Sequence, residues 1–64
     1  QMSLARGKVL AAKGELDQAI EALQQAITLN PNPAEAHFEL GKVYQQKGDF
    51  EKAATEFRAA YESR

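Results

Sequence analysis

The chain repeats itself. His37-x-x-Leu40-Gly41-x-x-Tyr44, then Gly48-Asp49-Phe50, then Ala53-x-x-x-Phe57 make the stronger copy. Displaced by roughly 34 residues, Ser3-x-x-Arg6-Gly7-x-x-Leu10, Gly14-Glu15-Leu16 and Ala19-x-x-x-Leu23 make a weaker one, closed by Pro31. No other feature constrains the fold as much. At this period each copy is one supersecondary unit, and such units bury their apolar faces by stacking on one another.

Size and composition narrow the rest. A chain of 64 residues has room for one small domain, whose core is marginal without a staple. There is no cysteine, so neither disulfides nor a thiolate metal site can supply stability. The formal net charge is −1, with acids and bases interspersed. Nucleic-acid and acidic-membrane partners need a basic surplus and are not expected. No apolar run approaches the roughly 20 residues of a membrane span, and no signal-peptide layout is present. A soluble helical chain, cytoplasmic by default, is the expectation. The pattern opens at Gln1 in mid-repeat and stops at Arg64 soon after the last helical stretch, as in a segment of a longer protein.

Periodicity and punctuation predict four helices. The first covers about 2–13, where Met2, Ala5, Gly7, Val9, Leu10 and Ala12 form a loose apolar stripe. Lys13-Gly14 ends it, glycine being free to adopt positive φ. The second, about 16–29, carries Leu16, Ala19, Ile20, Leu23, Ala26 and Ile27 at three- and four-residue steps. Asn30-Pro31-Asn32-Pro33 breaks the chain, since each proline removes a donor and restricts the residue before it. Asn32 as N-cap, Pro33 at the first helical position and Glu35 three after Asn32 predict a capping box. The third helix then runs about 33–47 with Ala36, His37, Leu40, Gly41, Val43 and Tyr44 inward, closed by Lys47-Gly48. Asp49 is the predicted cap of the fourth, about 50–62, whose apolar face is Phe50, Ala53, Ala54, Phe57, Ala60 and Tyr61.

Small and large residues alternate between equivalent places. Gly7 with Ala19 and Ala26, and Gly41 with Ala53 and Ala60, would let paired helices approach closely. Leu10, Leu16 and Leu23, and Tyr44, Phe50 and Phe57, would fill the spaces between. With the period, this pattern resembles the tetratricopeptide repeat, a helix–turn–helix unit that stacks into arrays. The resemblance covers nearly the whole chain and divides it at 1–33 and 34–64. The second copy follows the family pattern closely, with His37 where tryptophan is usual. The first departs at Ser3, in place of that aromatic, and at Arg6, in place of leucine. The resemblance implies an all-α helical-repeat fold of four antiparallel helices, acting in protein–protein interaction.

Chemistry finds no foothold. His37 is the sole histidine, without a second ligand at metal-site spacing, and reads as a ring at the edge of the core. Ser3 and Ser63 lie near the ends with no base beside them, and no glycine run cradles phosphate. No catalytic residue, cofactor or metal is expected.

The outward face of the third helix is more informative. Glu35, Phe38, Lys42 and Gln45 form a second stripe, in which Phe38 is a large aromatic among polar neighbours; Leu4 and Lys8 are the counterparts of Phe38 and Lys42. By the resemblance, the first helix of each unit lines a concave peptide groove. Gln1, Leu4, Lys8, Ala11 and Ala12 would line it from one unit, and Glu35, Phe38, Glu39, Lys42, Gln45 and Gln46 from the other. Two readings of this face stay open. In one, Leu4 and Phe38 floor a site where Lys8 and Lys42 attract an acidic side chain or a terminal carboxylate. In the other, Phe38 packs on the first helix and both lysines are solvated. The acidic Glu39 argues against the carboxylate-clamping subfamily of chaperone co-factors. The alternative function is structural: apolar surface around Ala54 and Tyr61 would associate with a second copy or stack within a longer scaffold, or units would exchange across the Asn30–Pro33 joint.

Overall fold

The computed structural model describes residues 2–62, and of Met2 the backbone alone. Four helices follow in order: α1 (Met2–Ala12), α2 (Leu16–Leu29), α3 (Ala34–Lys47) and α4 (Phe50–Glu62). Connections this short reverse the chain at each step, so sequence neighbours lie antiparallel.

The glycine turns work as the sequence predicts. Gly14 and Gly48 have φ of 84° and 85°. In the first turn Gly14 N–H donates to Ala11 O and Glu15 N–H to Leu10 O, at 3.0 and 2.9 Å. In the second, Gly48 N–H donates to Gln45 O and Asp49 N–H to Tyr44 O, at the same two distances. Both turns are therefore the Schellman closure that satisfies the last carbonyls of a helix. Asp49 caps α4 as expected, its Oδ1 accepting the Lys52 N–H at 3.3 Å. Glu15, its counterpart before α2, makes no side-chain cap bond.

The start of α3 differs from the expected capping box. Pro33 stands at the cap (φ −85°, ψ 18°), no side chain caps the helix there, and the first helical residue is Ala34. Asn30 takes the turn instead, its Oδ1 accepting the Asn32 N–H at 3.1 Å. Such an Asx turn competes locally with a cap from Asn32. Glu35 is thereby released from the cap and reaches Lys8 on α1.

The core follows the small–large alternation. Leu23, Leu40 and Val43 are fully buried, as are Ala19, Ala26 and Ala36. Leu4, Leu10, Leu16, Ile20, Ile27 and Phe57 pack around them, half-buried. Burying a leucine or valine completely contributes about 1.5–3 kcal/mol. The two helical glycines are contact points: a Cβ on Gly7 would lie 2.6 Å from Leu23 Cγ, and one on Gly41 2.7 Å from Phe57 Cε1. His37 sits half-buried between α3 and α4, with Nδ1 2.8 Å from Glu56 Oε1. A ring at the edge of the core is what the sequence predicts for it.

Phe50 departs from expectation. It fills no space within its unit and is 68% exposed. Its counterpart Leu16 is half-buried and packs against the core. The reason is order along the stack. α1 packs on α2, α2 on α3 and α3 on α4, with a light contact from α1 to α3. Among the described residues, α4 packs on no helix but α3. The result is a slab with extents of 26 × 26 × 13 Å, the thinnest dimension matching two helix layers at an interaxial distance of about 8–10 Å.

Candidate interaction surfaces

Two surfaces emerge, and they differ in charge and apolar area. The first is the groove between α1 and α3, lined by Lys8, Ala11, Ala12, Glu39, Lys42, Val43 and Gln46, with a volume of about 170 Å³. The two cations that the sequence places here already have acids beside them. Lys8 Nζ lies 3.2 Å from Glu35 Oε2, and Lys42 Nζ lies 3.4 Å from Glu39 Oε1. Leu4 packs against the core, half-buried, and Gln45 is exposed. Gln1 lies outside the described residues, as does Ser63.

Phe38 belongs to the second surface. Its ring meets the Phe57 ring of α4, with centroids 5.7 Å apart and planes tilted by 52°. Lys42 Nζ stands 5.3 Å from the Phe38 centroid, a cation–π contact. Ala34, Glu35, Phe38, Phe57, Ala60 and Tyr61 line an open groove of about 580 Å³ along the free edge of α3 and α4. Its walls are mainly carbon. Phe38 is 48% exposed and Tyr61 74%, with Phe50 and Ala54 exposed further along α4. The proposed association residues Ala54 and Tyr61 thus stand on this edge.

The residue-by-residue correspondence between hairpins explains why this edge is apolar. Leu4, Leu16, Ile20, Leu23 and Ile27 are covered, in whole or part, in the first hairpin. Their counterparts are Phe38, Phe50, Ala54, Phe57 and Tyr61, on the open edge. The opposite end of the slab is polar: Arg6, Gln18, Glu21 and Gln25 surround the cleft between α1 and α2, with Leu10 and Ala22 at its base. Helical spacing alone puts Phe38 on the α1–α3 face, since it takes no account of the Phe57 ring that α4 brings against it.

Two exposed ion pairs link α3 to the first hairpin. Lys8–Glu35 holds the start of α3, and Lys47 Nζ donates to Asp17 Oδ1 at 2.6 Å at its end. That hydrogen bond, followed by the Asp17 charge, raises the Lys47 pKa above its ordinary value. Among the described residues no group of three His, Cys, Asp or Glu is placed to hold a metal ion. No helix there is long and apolar enough to cross a membrane.

Stacked helical hairpins with small residues at their crossings define a helical-repeat protein, and comparison with known families agrees. A family model described as TPR repeat matches residues 7–48, and one described as Tetratricopeptide repeat matches 34–63. The chain belongs to the tetratricopeptide repeat family, a protein-interaction fold. Among individual proteins, BBSome complex member BBS4 of Bos taurus is 40% identical over 47 residues. That match covers 73% of this chain and 9% of the relative, so the chain spans a small part of that protein's length.

Proposed function

We propose that the chain is a non-catalytic protein–protein interaction module whose principal docking surface is the apolar edge of α3 and α4, occupied by a helix of a partner protein. The observation that carries this reading is the exposure of Phe38, Phe50 and Tyr61 at repeat positions whose counterparts Leu4, Leu16 and Ile27 pack against the core. Contiguous apolar surface on a small protein marks an interaction site more often than scattered single residues do. The related BBS4 is named as a member of a protein complex, which accords with a binding role. The α1–α3 groove, with Leu4, Lys8, Ala11, Glu39 and Gln45, is the subsidiary surface. Its lysines reach an incoming acid only by giving up Glu35 and Glu39.

Selection from a displayed library of helical peptides, followed by titration against the monomer, tests the reading. Phe38→Ser with Tyr61→Ser is expected to weaken the selected binders on the order of tenfold, as loss of aromatic anchors does. Binders indifferent to those changes and lost with Lys8→Glu would move the site to the α1–α3 groove.

The exposed Phe50 and Tyr61 also favour a second reading, self-association through α4. Sedimentation equilibrium separates the two. A dimer that Tyr61→Glu returns to monomer supports the second, and a monomer at all concentrations removes it.

A further inference from the structure

The second hairpin carries a polar contact that the first lacks. We propose that His37 and Glu56 form a pH-sensitive latch between α3 and α4, which closes that hairpin more firmly when the imidazole takes up a proton.

His37 Nδ1 lies 2.8 Å from Glu56 Oε1, and the two side chains are only 18% and 21% exposed. Among the described residues, theirs is the one side-chain hydrogen bond that joins the two helices of a single hairpin; the Lys8–Glu35 and Lys47–Asp17 bonds run between hairpins. The equivalent residues of the first hairpin are Ser3 and Ala22, which cannot make this pair. The contact therefore belongs to α3 and α4 alone and sits inside the unit.

Its strength follows the charge on the ring. A neutral imidazole with its proton on Nδ1 donates one hydrogen bond to the carboxylate. A second proton, taken up at Nε2, turns the same contact into an ion pair, and ionising both partners strengthens such a bond. Swinging α4 away removes the carboxylate and leaves the charged ring without a partner. The closed hairpin thus holds the second proton better than the open one. The added closure is present in mild acid and fades as pH rises through the range, about 5–8, in which imidazoles ordinarily release that proton. Burial by itself opposes a charged ring, so the sign of the response comes from Glu56.

Competing charges are turned elsewhere. On α3, Glu35 reaches Lys8 and Glu39 reaches Lys42. On α4, Lys52 stands one turn before Glu56, but its Nζ lies 3.9 Å from Asp49 Oδ2 and 5.7 Å from the centre of the Tyr44 ring. Arg58 is exposed. α2 carries no charged residue after Glu21, which lines the cleft beside Arg6, and Asp17 pairs with Lys47 at the far end of α3. α1 touches α3 lightly, and its Lys8 is the partner of Glu35.

Urea unfolding of the whole chain at about pH 7.5 and about pH 5.5 tests the latch, because His37 is the one histidine and its type alone ordinarily changes charge in that interval. On acidification the parent is expected to gain stability relative to His37→Gln, on the order of threefold in the folding equilibrium. Glu56→Gln keeps the size and a hydrogen-bonding end but removes the charge, so its own response to acid should be absent or reversed. If His37→Gln does not fold, the parent against Glu56→Gln at the two pH values decides alone. An equal response of parent and Glu56→Gln overturns the proposal, as does a difference between parent and His37→Gln that stays the same at both pH values.

Discussion

A methyl group on Gly7 would collide with Leu23, and one on Gly41 with the Phe57 ring, at nearly the same distance. The surroundings make the two collisions unequal. Leu23 is fully buried and its Cγ and Cδ2 both lie 2.6 Å from the added atom, so the core must shift. Phe57 is half-buried beside an open groove and its ring can swing outward. Alanine for glycine within a helix also gains up to about 1 kcal/mol of propensity. Gly7→Ala is therefore expected to lower stability by about 1–3 kcal/mol, and Gly41→Ala to stay within about 1 kcal/mol of the parent. Urea midpoints decide between them. An equal loss in both would mean that Phe57 is held as firmly as Leu23.

At the scale of the element, equivalent positions on α2 and α4 carry opposite consequences. Leu16→Ala removes a half-buried side chain packed against the core and should cost about 2 kcal/mol, whereas Phe50→Ala should change stability by about 0.5 kcal/mol or less. Thermal or urea unfolding of the two variants checks this. If Phe50→Ala costs as much as Leu16→Ala, α4 is covered in solution and self-association is the first explanation to pursue. This pair also marks where the sequence is legible. Helix spans, glycine turns, the Asp49 cap and the tight crossings at Gly7 and Gly41 all follow from local rules that act within one hairpin. The covering of a helix face depends on what lies one repeat away, so Phe50 and Leu16 read alike in sequence and differ in the fold. The α3 cap differs from the expected capping box for a related reason. Asn30 and Asn32 are both competent to turn the chain there, and composition alone does not rank them.

At the scale of the whole molecule, the slab is asymmetric, polar beside Arg6 and apolar beside Phe57. Its helices also differ in how many neighbours hold them. α2 and α3 are each packed between others, while α4 rests on α3 alone among the described residues. In stacked repeats stability accumulates from nearest-neighbour contacts, so opening is expected to begin at α4 and travel inward. Native-state hydrogen exchange should find amides of α4 exchanging first and those of α2 and α3 protected closest to the global limit. Uniform protection from α1 to α4 would instead describe one all-or-none unit. A molecule that unzips from one end gives a partner seated there a long reach. By holding the last helix shut, it would slow solvent entry at amide protons in α3 that it never touches, so occupancy could be read as a timing signal from the middle of the chain.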